Sequence, residues 1–161
     1  MYVVPLDFAL PGGWRWRYAG VGLVHKSNGQ SLPYSRNWNR AYLMGGMELD
    51  NRLRLSARVW QHLKETASND DNPDITSFLG RAEFSGLWDY DKYNTVGLTL
   101  RSILHRASRG AVKLEWLKAI GDPSTSKLRL HTQLFSGYGD TLVDYNRRRT
   151  VFSVGLSLVD F

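Results

Sequence analysis

The sequence predicts an all-β protein: an antiparallel transmembrane β-barrel, present as one incomplete domain over residues 1–161. Three observations predict it. Apolar and polar residues alternate with period two along most of the chain, which sends successive side chains to opposite faces of a sheet, and helical periodicity is hard to find. The alternating runs reach roughly 10 to 13 residues against about 5 to 6 in soluble sheets, a length that suits a tilted membrane crossing. The connections are short at one end of the runs and long and polar at the other, the asymmetry of outer-membrane barrels.

The first run, 14–25, carries Ala19, Val21, Leu23 and His25 on one side. The second, 37–49, groups Asn39, Ala41, Leu43, Met47 and Leu49. The clearest is 53–63, where Leu53, Leu55, Ala57 and Val59 oppose Arg54, Ser56, Arg58 and His62. In 78–90, Phe78, Gly80, Ala82, Phe84, Gly86, Trp88 and Tyr90 oppose Arg81, Glu83 and Ser85. Segment 95–104 sets Val96, Leu98, Leu100 and Leu104 against Thr95, Thr99 and Arg101, and 112–120 sets Val112, Leu114, Trp116 and Ile120 against Lys113 and Glu115. Segment 128–138 places Leu128, Leu130 and Leu134 opposite Arg129, His131 and Gln133. The final strand has Phe152, Val154, Leu156 and Leu158 against Ser153, Gly155 and Ser157. The expectation is therefore about eight strands.

Asp50-Asn51 and Asp91-Lys92 mark tight turns, whereas 26–36, 64–75, 105–110 and 139–148 are the longer loops. Trp14, Trp16, Tyr42, Trp88, Tyr90, Trp116 and Tyr138 fall near strand ends, where an aromatic girdle meets the membrane interface. A soluble antiparallel barrel or sandwich alternates in the same way. Strand length, aromatic placement and loop asymmetry favour the membrane.

With no cysteine, neither disulfides nor a thiolate metal site are available. The 21 Lys and Arg against 15 Asp and Glu give a net charge of +6. That balance would permit nucleic acid, anionic lipid or lipopolysaccharide as a partner, but the charges are scattered rather than bunched, which does not favour nucleic acid. No run approaches the roughly 18 to 20 apolar residues of a membrane helix, so any crossing is made by strands. The opening MYVVPLDFALPGG lacks the basic and apolar regions of a secretory signal, which an outer-membrane protein requires. The expectation is that the true N-terminus lies upstream.

The segment from His25 to Asn39 brings together a base, a hydroxyl and an amide. His25 and Ser27, at i and i+2, point to one side of a strand with α-carbons roughly 6.5 to 7 Å apart. A loop over Asn28-Gly29 and Pro33 returns the chain as the adjacent strand, where Asn39 can stand beside His25. Nucleophile, base and orienting group would then be assembled. By parity all three share the apolar, lipid-facing sides of their strands, at the depth where the ester of a membrane lipid meets water.

The run HKSNGQSLPYSRNWNR resembles the active-site segment of the outer-membrane phospholipase A family, with its H-x-S-N-G followed by S-R-x-W-N. DDNPDI at 70–75 and SGYGDTLVDYN at 136–146 are similar to further family segments, so the resemblance runs from about Trp14 to Phe161. It implies a barrel of about twelve strands, of which the N-terminal ones would be missing here, in the bacterial outer membrane. It also implies a calcium-activated homodimer that hydrolyses membrane glycerophospholipids, with A1, A2 or lysophospholipase specificity. Ser27 would be the nucleophile, His25 the base and Asn39 the residue that orients the imidazole. Gly29 would offer its N–H to the oxyanion, and Ca2+ would lie near Gln30 and Ser35, with Asp74 as a weaker ligand. Gln30 stands where the family usually has Arg, which a backbone-carbonyl ligand tolerates. Leu32 stands where an acidic residue is common, which weakens a secondary calcium site shared with Asp70, Asp71 and Asp74. The competing readings are a non-catalytic barrel acting as a pore or structural element, and a soluble lipid-binding barrel.

Overall fold

The computed structural model describes residues 1–31, 33–63, 71–101 and 109–158. Leu32, Asp70, Leu104 and Phe161, together with most of the expected loops 64–75 and 105–110, lie outside them. Among the described residues nine strands follow one another as β1 (Tyr2–Ala9), β2 (Trp14–Ser27), β3 (Asn37–Leu49), β4 (Leu53–His62), β5 (Ala82–Asp89), β6 (Asn94–Arg101), β7 (Ala111–Ala119), β8 (Arg129–Gly137) and β9 (Arg149–Ser157). Each pairs antiparallel with its neighbours in sequence, giving a single sheet in the order β1 to β9. Among the described residues β1 and β9 do not pair with each other, so the sheet is an open barrel wall.

Two expectations change. The described residues form nine strands rather than about eight, because Tyr2–Ala9 pairs with β2 although alternation did not mark it. Pro5 supplies no N–H, and the register shifts between Pro5 and Phe8, so apolar residues reach both faces and the period-two signal blurs. The run 78–90 is not one strand: Ile75–Leu79 forms a short helix, α1, and β5 starts only at Ala82. Gly80, at φ 65°, ends the helix while its N–H donates to the Thr76 carbonyl at 2.9 Å. A left-handed terminus of this kind is where glycine is favoured.

The two faces differ as the alternation requires. Leu23, Leu43, Phe152, Val154 and Leu156 are each more than half exposed, and Val21, Phe84, Trp88, Val96 and Leu114 project from the same outer face. So wide an apolar surface is stable against acyl chains and not against water. The inner face carries charge in pairs: Arg54 with Asp89 at 3.0 Å, Arg101 with Glu83 at 3.2 Å, and Glu115 with both Lys113 at 2.8 Å and His131 at 3.1 Å. No helix among the described residues is long and apolar enough to cross a membrane.

The two rims differ as well. Short turns join β1 to β2, β3 to β4 and β5 to β6, and residues 120–128 join β7 to β8 on the same rim. Asp50 and Asn51 adopt φ of 51° and 54°, the sign that a type I′ hairpin needs at both central positions. The opposite rim carries the longer connections and the apolar cluster. Ile75 and Leu79 of α1 pack with Trp38, Trp60 and Tyr145, all at most 6% exposed. Trp60 donates its indole N–H to the Gly80 carbonyl at 2.8 Å, so α1 plugs the inside of the wall at this end.

Candidate active site

The site lies where β2 ends and β3 begins, at the loop rim. His25 stands opposite Asn39 and Ser27 opposite Asn37. The Asn39 carbonyl accepts from Leu63 N–H at 2.9 Å, so its backbone faces β4. Its pairing with His25 is then of the non-hydrogen-bonded kind, in which facing side chains approach most closely. Accordingly, His25 Nδ1 meets Asn39 Oδ1 at 2.6 Å. An amide oxygen can only accept, so Nδ1 carries the proton and Nε2 is left with its lone pair free. That is the tautomer a general base requires.

The expected parity is observed. His25 and Ser27 follow Val21 and Leu23 on the exposed outer side of β2. The intervening Lys26, with Trp38 and Arg40 of β3, lines a cavity on the inner side. Below the imidazole the outer surface is a trough walled by Val21, Leu23, Ala41, Leu43 and Val59.

Asn28 builds the loop that follows. Its side chain accepts from the N–H of Arg36 at 3.0 Å and of Gln30 at 3.3 Å, and donates to the Tyr34 carbonyl at 2.7 Å. Gly29 takes φ 67°, which turns its N–H back onto Ser27 Oγ at 3.1 Å. The Ser27 hydroxyl therefore accepts from the backbone and keeps its proton to give. Among the described residues no hydrogen bond joins Ser27 to His25; in resting sites such bonds often form only when substrate is bound.

Of the candidate cation ligands, Ser35 is held by Asp71, to whose carboxylate its hydroxyl donates at 2.5 Å. Gln30 lies on the same loop, while Asp74 accepts from the Tyr145 hydroxyl on the α1 side. Among the described residues no three His, Cys, Asp or Glu side chains cluster to hold a metal. Ser35 and Asp71 still supply two hard oxygens side by side, the donor type that calcium prefers, so they fit such an ion. Sequence reasoning missed Asn72, which is 1% exposed and bonded to the backbone of Asn37. Its neighbours Asp71 and Asp74 drew attention to DDNPDI as an acidic loop, and nothing in that run marks the amide as buried.

The profile of the family described as Phospholipase A1 matches residues 1–158. The chain belongs to that family. The match starts at Met1, ahead of the Trp14 at which the motif resemblance began. Phospholipase A1 of Escherichia coli K12 is 35% identical over 148 residues, covering 92% of this chain and 48% of the relative. The outer membrane phospholipase A of E. coli superimposes with a TM-score of 0.86 at 31% identity, over 98% of this chain and 57% of that one. A Salmonella typhi outer membrane phospholipase, solved as a dimer with bound calcium, gives 0.86 at 30% identity with the same coverage. The chain thus spans about half the length of these relatives. Its fold is that of the outer-membrane phospholipase barrel, and the outer membrane of Gram-negative bacteria is its location.

Proposed function

We propose that this chain carries the catalytic residues of a serine hydrolase that cleaves acyl esters of membrane glycerophospholipids. The observation that carries the reading is the bond between His25 Nδ1 and Asn39 Oδ1 on the lipid-facing side of the wall, two residues from an exposed serine. Ser27 Oγ attacks the ester carbonyl and its proton passes to His25 Nε2. The Gly29 N–H, already aimed at Oγ, faces the oxyanion that forms. Collapse breaks the ester bond, and His25 returns the proton to the departing lysophospholipid alcohol. Water, deprotonated by His25, then releases the fatty acid from the Ser27 ester.

Asn39 holds the imidazole in the reactive tautomer without introducing a charge. A neutral amide costs less than a carboxylate beside acyl chains. The trough below His25 takes an acyl chain, and the loop rim, extracellular in barrels of this kind, sets the site towards the outer leaflet. Ser35, Asp71 and the backbone of Gln30 would hold Ca2+, which when bound supplies positive charge near the oxyanion. The calcium-bound dimer of the S. typhi relative supports both the ion and a homodimer as the working form.

Ser27→Ala should lower fatty-acid release from phospholipid micelles in calcium by about 10³-fold or more, while the folded barrel persists. Release at the parental rate would overturn the serine mechanism.

A further inference from the structure

Resting on the catalytic reading of His25 and Asn39, we infer that Asn72 is a positioning residue: it pins the start of β3 so that Asn39 stays against the imidazole. On the β4 side, the pairing of β3 begins only at Arg40, opposite His62. Asn37 lies beyond that pairing, yet both of its peptide groups are engaged from that side. Its N–H donates to Asn72 Oδ1 at 3.0 Å, and its carbonyl accepts from Asn72 Nδ2 at 2.6 Å. These two bonds reproduce what an adjacent strand would offer, made by one side-chain amide instead of a backbone.

The amide is itself fixed. Asn72 is 1% exposed, and its backbone carbonyl accepts from the N–H of Ile75 at 3.2 Å, a residue wholly buried in the apolar cluster of the loop rim. Position is thereby handed from the buried Ile75 to Asn72, then to Asn37, and over two residues of β3 to Asn39 and His25. The same short segment presents Asp71 to Ser35, so one loop serves both the candidate cation ligands and the register of the catalytic strand. The residue on which these bonds end stands opposite Ser27 across the sheet.

Removing the amide leaves both peptide groups of Asn37 without their side-chain partner and lets the end of β3 shift. A displacement of about 1 Å in a catalytic group can cost about 100-fold in rate. The test compares Asn72→Ala with the isosteric Asn72→Asp, which keeps the acceptor and removes the donor to the Asn37 carbonyl. Two quantities are read in detergent micelles with calcium: turnover of phospholipid, and the proton resonance of the His25 Nδ1–H bonded to Asn39. The chain has 4 histidines, so a His25→Asn sample assigns the signal. The expected result is kcat lowered about 10- to 100-fold with KM within about twofold, together with a shifted or broadened His25 resonance in both variants. If Asn72→Ala folds poorly, Asn72→Asp carries the test. A His25 resonance unmoved in either folded variant would overturn the inference whatever happens to the rate. A shifted resonance with turnover unchanged would leave Asn72 in its positioning role and refute the catalytic reading of His25, which Ser27→Ala tests separately.

Discussion

The two rims of this wall are built by different physics. At the turn rim bonds between groups a few residues apart close the connections, with Arg52 also reaching the carbonyls of Asp89 and Tyr90 on the neighbouring turn. Asp91 accepts from the side chain of Asn94 and the N–H groups of Tyr93 and Asn94, while Asp122 accepts from the N–H of Ser124. At the loop rim the partners are distant in sequence: Asn72 reaches Asn37, Asp71 reaches Ser35, and Tyr145 reaches Asp74. The loop rim also holds the cluster of Trp38, Trp60, Ile75, Leu79 and Tyr145. Local closure suits a rim that only has to reverse the chain. A rim that presents the proposed catalytic groups to lipid needs a packed support behind it, because a side chain on an unsupported strand end has no fixed position.

That contrast makes unequal predictions for the two ends. The largest is at Ile75, which is fully buried: Ile75→Ala should destabilise the folded protein by about 2 to 5 kcal/mol. It should also lower phospholipid turnover, since the support of Asn72 loosens with it. Urea unfolding in lipid vesicles and turnover by fatty-acid release would measure both, and an unchanged rate would break the link between cluster and site. A smaller effect is expected at the turn rim. Asn51, at φ 54°, tolerates the left-handed region, and Asn51→Ala should cost about 1 kcal/mol with turnover untouched.

The smallest effect concerns Asp91 and depends on pH. Hydrogen bonds from the Asn94 side chain and the Tyr93 and Asn94 N–H groups hold its carboxyl below the usual carboxylate range. A carboxyl whose folded pKa is depressed contributes stability that is fully present above its unfolded value, near 3.8, and is lost as pH falls through the lowered folded value. Asp91→Ala should therefore be slightly less stable than the parent at neutral pH, by a margin that narrows in acid as the pH falls below 3.8. Unfolding midpoints at neutral pH and in acid would show it, and a gap that does not narrow in acid would assign the contribution to something other than ionisation.

The legibility of the sequence follows the same divide. Asp50-Asn51 and Asp91-Lys92 announced their turns because turn chemistry is local. Strands β4, β6 and β7 were visible because alternation is local too. β1 escaped because Pro5 and the register shift spread apolar residues over both faces. The end of α1, at Phe78 and Leu79, was read as strand because Phe78 and Gly80 continue the alternation of Phe84 and Trp88, and one helical turn is too short to show a period of its own. Gly80 was the available signal, as a left-handed residue that closes a helix.

By itself the sequence determined the sheet, the outward face and the side on which His25, Ser27 and Asn39 project, because a period of two fixes parity wherever a strand is continuous. It also supplied the residue types from which the proposed base, nucleophile and neutral orienting group are drawn. The tertiary structure alone decided that Asn39 meets His25 at 2.6 Å, that Asp71 takes Ser35, and that a buried amide at Asn72 stands in for a strand beside Asn37. These contacts bring together residues up to 36 positions apart, and such pairings are set by how loops pack over the rim, which no local pattern of side chains encodes.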